Sequence, residues 1–302
     1  MKRRDFLKKL AKAGFVVSAT GALPLLDLSK AEAETTPYPL AVAAEGSPAE
    51  LTREALRKLG GMGAFVKDGD SVVVKPNIGW DRTPEEGANT HPEVVRELVM
   101  MALDAGAAEV RVFDRTCNDP RRCYKRSGIE DAIDSIDDSR AKITHVDELR
   151  YEVVEIRDGI SLTKWPLYRP ALEADVLINA PVVKHHGMSE ITIGMKNLMG
   201  VMGGNRGRLH RDLTDGLVDL SLAVKSHLTV VDATRVLLAG GPLGGGTGNV
   251  KKVGKVGASR DVVTADAWGA TMFGVDPFSI PHIKRAHERG LGIADLSKVK
   301  IL

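Results

Sequence analysis

From about residue 50 onward, short runs of β-branched residues alternate with windows whose apolar residues recur at helical spacing. That alternation restricts the chain to a βαβ architecture, because each strand needs a helix to cover its apolar face. The pattern predicts strands over Ser71–Lys75, Glu109–Phe113, Lys142–Val146, Tyr151–Ile156, Asp175–Ala180, Leu228–Asp232 and Lys298–Leu302. Most are nearly continuous apolar runs, as required of parallel strands buried on both faces. The expected fold class is therefore α/β, a mostly parallel sheet with flanking helices, with two lobes sharing a cleft as the alternative organisation.

The best-marked helix is expected over Pro92–Ala105. Thr90-His91-Pro92-Glu93 reads as a capping box with proline in the first turn, and Val95, Leu98, Val99, Ala102 and Leu103 follow at helical spacing. Further helices are predicted over Pro48–Leu59, Asp212–Ser226, Ala265–Phe273 and Ile280–Arg289. The stretch Gly240 to Gly248 is too rich in glycine for regular structure and reads as a mobile or ligand-hugging loop.

Residues 1–33 have the grammar of an export signal. Arg3-Arg4 with Phe6, Leu7 and flanking lysines is a twin-arginine address, Ala13 to Leu26 is an apolar stretch, and Ala31-Glu32-Ala33 is a small-x-small cleavage pattern. The expectation is a twin-arginine signal peptide over 1–33 read by the Tat translocase. An α/β domain over 34–302 would then be delivered, already folded, to the periplasm or beyond. The apolar stretch is shorter than the roughly 20 residues a spanning helix takes, so no stable membrane span is expected after cleavage.

The leader holds seven basic residues against three acids, a charge of +4, whereas the whole chain carries +2. The remainder is therefore near −2, and nucleic acid is not an expected partner. Only Cys117 and Cys123 are present. Two thiols cannot hold an iron–sulfur cluster without outside ligands, so none is expected from this chain alone. In an oxidising compartment a local disulfide between them is the preferred expectation.

In open α/β sheets, ligands gather beyond the carboxyl ends of the strands. Four segments occupy such places: Lys75-Pro76-Asn77, Asp114-Arg115-Thr116, Pro181 to His186, and Asp232. The stretch after the fifth strand also carries Lys184, His185, His186, Lys196 and Asn197, with Arg206, Arg208 and His210 beyond. Imidazole moves protons near neutral pH or binds a transition metal, and lysine holds an anion or acts as a nucleophile once its pKa falls. The candidate catalytic residues are His186 and Lys196. The candidate ligand-binding residues are Lys75, Asn77, Asp114, Lys184, Asn197 and Arg206. His186, His210 and Asp232 are the candidate ligands for a transition metal, for which an imidazole and carboxylate set suits Ni, Zn or Fe. Blander readings apply elsewhere. Glu130 to Asp138 is a solvated helix face, His282 and His287 lie on different faces of one helix, Asp261 and Asp266 flank a helix start, and His91 belongs to a cap.

Several of these segments together resemble a known family. Lys75-Pro76-Asn77, Thr90-His91-Pro92, Gly106-Ala107, Ala174 to Asn179, Lys184-His185-His186, Lys196 to Gly200, His210, Val231-Asp232 and Asp261 to Asp266 look like the ordered blocks of the domain of unknown function 362 family. The resemblance runs from about residue 40 to the end. Many members carry an attached ferredoxin-like segment that this chain lacks. The run from Asp175 through His186, Thr192, Gly194 and Lys196 to His210 is also similar to part of the lactate racemase family. That resemblance implies that Lys196 anchors a nickel-pincer nucleotide, that His186 transfers protons, and that His210 binds nickel. Met195 and Asn197 flank the lysine where that family has other residues, and its paired glycines are missing.

Two functions fit the residues. One is an enzyme, such as a metal- or cofactor-dependent isomerase or oxidoreductase, acting on a small anionic ligand in a basic cleft lined by His and Lys. The other is a non-catalytic periplasmic binding or accessory protein for a redox or metal system.

Overall fold

The computed structural model describes residues 38–302; the twin-arginine signal expected over 1–33 lies outside the described residues. The strands are β1 (Ala41–Ala44), β2 (Ser71–Pro76), β3 (Glu109–Val112), β4 (Ala141–Ile143), β5 (Tyr151–Glu155), β6 (Lys164–Tyr168), β7 (Val176–Ala180), β8 (Val182–His186), β9 (Glu190–Thr192), β10 (Leu228–Leu237) and β11 (Val250–Ser259). The principal helices are α1 (Pro48–Lys58), α2 (Pro92–Asp104), α3 (Pro120–Arg126), α4 (Ile129–Asp134), α5 (Arg169–Glu173), α6 (Gly194–Asn197), α7 (Leu213–Ala223), α8 (Val262–Ala270) and α9 (Pro281–Glu288).

The main sheet runs β1-β11-β10-β7-β2-β3-β4, with β8 added to β10 and β9 to β8. Pairings from β10 through β7, β2 and β3 to β4 are parallel, while β11 joins β1 and β10 in antiparallel fashion. Alternating side chains sort to opposite faces. Val72, Val74, Val176, Ile178 and Val230 pack under α1, α2, α3 and α4, whereas Val73, Leu177 and Val231 pack against α7, α8 and α9. Both faces are covered, which is why these strands read as unbroken apolar runs. The described residues form one compact unit, so the two-lobed alternative is not realised.

Three expectations are corrected by backbone pairing. Ile301 makes a lone parallel bridge to Leu40 rather than belonging to a strand over Lys298–Leu302. Tyr151–Glu155 pairs only with β6, as a separate antiparallel hairpin. The cap of α2 is His91, whose Nδ1 accepts from the Glu93 N–H, and not Thr90. The Thr90 hydroxyl instead accepts from the Asn77 N–H at 2.8 Å and donates to the Ala180 carbonyl at 2.7 Å, tying the ends of β2 and β7 together.

Candidate functional site

The carboxyl ends of β2, β3 and β7 lie side by side, and the sequence places polar residues at each. Lys75 is wholly buried on β2 and forms an ion pair of 2.7 Å with Asp114, just past β3. Burial lowers the Lys75 pKa, and the Asp114 carboxylate opposes that shift. The other Asp114 oxygen accepts from the Ile78 N–H at 2.7 Å. Asn197 completes the arrangement. Its Oδ1 accepts from Lys75 Nζ at 3.1 Å and Asn77 Nδ2 at 3.0 Å, while its Nδ2 donates to the Lys75 carbonyl and to Asn179 Oδ1. A buried polar network is stable when its members are paired, and this one pairs the amides of Asn77, Asn179 and Asn197 and the Lys75 ammonium. Gly200 closes it: a Cβ there would lie 1.8 Å from Asp114 Oδ1 and 2.6 Å from Lys75 Cε.

Pro181 separates β7 from β8 and offers no N–H to a ladder. Beyond it the chain switches its pairing, so that β8 runs beside the later half of β10. Lys184 and His186 are thereby carried past the rim that ends β2 and β7. Lys184 is buried with no carboxylate partner; its ammonium donates to Asn77 Oδ1 at 3.1 Å and to the Ala88 carbonyl, and lies 5.9 Å from the centre of the Trp80 ring. Desolvation pulls its pKa down to about 7. Lys196 lies on α6, whose first N–H groups, Gly194 and Met195, donate to the buried Asp266 at 2.6 and 3.0 Å. Lys196 is 93% buried as a residue; its amine meets only the Met199 thioether at 3.2 Å and has a pKa lowered to about 8, again by desolvation.

The two histidines are held in complementary forms. His186 Nδ1 accepts from the Met188 and Ser189 N–H groups at 3.1 and 3.2 Å, so its proton sits on Nε2. Burial and the nearby Lys196 charge hold its pKa down at about 3, so it stays neutral and donates. His210 Nδ1 lies 3.1 Å from the Gly207 carbonyl, which puts its proton on Nδ1 and leaves Nε2 with a free lone pair. The rings stack with centroids 5.9 Å apart. One imidazole therefore offers a hydrogen and the other can take one.

These groups enclose a cavity of about 290 Å³. Its walls include Lys75, Asn77, Asp114, Lys184, His186, Lys196, Asn197, Arg206 and His210, so nearly every residue singled out from the sequence meets there. Asp232 does not. Its carboxylate accepts from the His91 N–H and from the backbone and hydroxyl of Thr234, tying strand to helix start. The expected metal set of His186, His210 and Asp232 is thus not assembled. Among the described residues no three His, Cys, Asp or Glu side chains stand close enough to hold a metal ion. The residues present do not fit Ni, Zn or Fe, since His186 has spent its Nδ1 lone pair on backbone and bears hydrogen on Nε2.

Arg206 contributes charge more than free donors. Its guanidinium already donates to the Arg115 and Thr116 carbonyls, at 2.6 and 2.7 Å, and to the Cys117 sulfur at 3.1 Å. The expected disulfide is absent, both thiols being free. Cys123 is turned into the core by α3, with its sulfur 3.8 Å from the Gly79 carbonyl, while Cys117 faces the cavity. Thr192 and Met199, which fall within the family-like segments, and Trp80 and Met188 also line the cavity. No motif marks Trp80 or Met188, although Trp80 follows Lys75-Pro76-Asn77 by only a few residues. Gly241 and Pro242 line the cavity too, so the glycine-rich stretch does lie against it; Gly241 is packed where a Cβ would meet the His185 carbonyl at 1.9 Å. Asp261 caps α8 through the Val263 and Thr264 N–H groups. His282 is buried and does not line the cavity.

The sequence profile of the family described as domain of unknown function 362 matches residues 72–271, and the chain belongs to that family. A thylakoid-associated protein of Synechocystis sp. is 29% identical over 254 residues, covering 82% of this chain and 76% of that one. Among solved structures, the lactate racemase apoprotein from Thermoanaerobacterium thermosaccharolyticum is similar at a TM-score of 0.43 and 14% identity, over 77% of this chain and 56% of that one. A protein from Thermotoga maritima is similar at a TM-score of 0.38 and 15% identity, over 62% and 51% respectively. This chain therefore spans little more than half the length of either solved chain.

Proposed function

We propose that this member of the domain of unknown function 362 family is an enzyme that binds a small anion in the cavity lined by Lys184 and Lys196. The observation that carries the reading is two buried lysines with no carboxylate partner in one cavity. An uncompensated buried ammonium costs several kcal/mol, and a negatively charged ligand would relieve that cost. Lys75 and Asp114 neutralise each other and serve as the floor, so Lys184 and Lys196, with Arg206 behind them, supply the net positive charge. The paired histidine forms favour an enzyme over a passive binder, because charge complementarity alone has no use for one imidazole that donates beside another that accepts.

The placement we propose is outside the cytoplasm. It rests on the twin-arginine grammar of residues 2–9 and the Ala31-Glu32-Ala33 pattern. No helix among the described residues is long and apolar enough to cross a membrane. The relative in Synechocystis is thylakoid-associated by name, which is compatible with export. Calorimetric titration with pyruvate, oxalate and phosphate tests the site. At least one should bind, and Lys184→Ala and Lys196→Ala should each weaken it by about tenfold or more, the worth of a charge-assisted hydrogen bond. Binding unchanged in both variants would defeat the reading. Retention of an Arg3→Lys, Arg4→Lys variant in the cytoplasm, against export of the unaltered chain, checks the placement.

A further inference from the structure

The Lys196 amine differs from the other two in the cavity. Lys75 has Asp114 and two oxygen acceptors, and Lys184 has an amide oxygen and a carbonyl; Lys196 has no oxygen acceptor, only the Met199 thioether. It is also rigidly presented, because α6 is fastened by Asp266 at two successive N–H groups. A buried amine held this way, with no oxygen acceptor, is in its neutral form placed for nucleophilic attack as well as for drawing in an anion. The other walls describe its target. Lys184 can take a carboxylate, His186 Nε2–H can take an oxygen, and Trp80, Met188 and Met199 provide apolar wall for a short carbon chain. A volume of about 290 Å³ admits a ligand of a few carbons.

We infer that Lys196 forms an imine with the carbonyl carbon of a small 2-oxo carboxylate, an inference that rests on the anion-binding reading above and names its ligand class. The lone pair of the neutral amine attacks the carbonyl carbon, a C–N bond forms, and the carbonyl π pair moves to oxygen, toward His186 Nε2–H. His210 Nε2 accepts a proton from the nitrogen and returns it to that oxygen, giving a neutral carbinolamine. As the nitrogen lone pair forms C=N and the C–O bond breaks, His210 passes the remaining N–H proton to the departing hydroxyl, which leaves as water. Both amine protons end on the water, His210 finishes as it began, and nothing is oxidised or reduced.

The test is reductive trapping of the full chain with pyruvate and sodium cyanoborohydride, read by intact mass and peptide mapping, beside calorimetry with pyruvate alone. The expected result is a single reduced adduct on Lys196, lower by roughly tenfold or more in Lys196→Arg, which keeps the charge but is a poor nucleophile. Lys196→Met is the second variant should the arginine not fit. Pyruvate that binds without giving an adduct at Lys196 would overturn the imine and leave the anion site standing. Failure of pyruvate, oxalate and phosphate alike to bind would overturn both.

Discussion

Replacing Asp114 by Asn should expose how the floor of the cavity is held. The side chain keeps its shape, and its oxygen can still accept from the Ile78 N–H, now 2.7 Å away. Lys75 loses the carboxylate at 2.7 Å and is left with two neutral acceptors, the Pro76 carbonyl at 2.7 Å and Asn197 Oδ1 at 3.1 Å. Removing one partner of a buried pair costs about 3–5 kcal/mol because the other charge is stranded. At 2–4 °C per kcal/mol for a domain of this size, the melting temperature should fall by roughly 10 °C. The sign of the pH dependence is a second check. Without Asp114, the folded-state pKa of Lys75 drops further below its ordinary value of 10.5. Between those two values the unfolded chain binds more protons than the folded one, so stability rises with pH there. The deficit against the unaltered protein, measured by urea denaturation, should therefore be largest near neutrality and shrink toward pH 10. A deficit under about 1 kcal/mol, or one independent of pH, would refute this account of the buried pair.

Lys196→Met should stabilise the protein, since the amine has no oxygen acceptor to leave unsatisfied. Its folded pKa is about 8, below the ordinary 10.5, so the gain should be full below pH 8 and vanish above about pH 10.5; urea titrations at pH 6.5 and 10.5 decide it, and destabilisation at pH 6.5 would contradict it. Gly200→Ala should destabilise by about 3 kcal/mol or more, because the new methyl would intrude between Asp114 and Lys75; thermal melting reads this directly. Nitrogen-15 NMR of the imidazoles should show His186 protonated on Nε2 and His210 on Nδ1, with His186 not titrating above pH 5. A His186 protonated on Nδ1 would remove the assigned roles.

Much of this site was visible as residue type and place. Lys75, Asn77 and Asp114 follow apolar strand runs, and the stretch from Lys184 to Lys196 stands out as basic residues beyond a buried strand, so their convergence follows from parallel topology. Other parts were hidden for physical reasons. β11 carries Lys251, Lys252 and Lys255 on a half-exposed outer end and Gly257 where the Trp268 ring leaves no room for a side chain, so it lacks the expected alternation. Asp232 ends the run expected as a strand, yet β10 continues to Leu237 and the carboxylate is consumed at the start of α2. Thr90 fits a capping box by spacing, but pairing strand ends buried its hydroxyl more usefully. The histidine tautomers depend on backbone N–H groups of a tight turn, which residue identity does not disclose.

The central claim is that buried ammonium groups draw an anion into this cavity, and the pH dependence of oxalate affinity tests it most directly. With Lys184 and Lys196 titrating at about 7 and about 8 in the free protein, affinity should hold level below pH 6.5 and fall by at least about tenfold per pH unit above 8. An affinity that stays flat from pH 6 to pH 10 would mean that neither lysine holds the ligand.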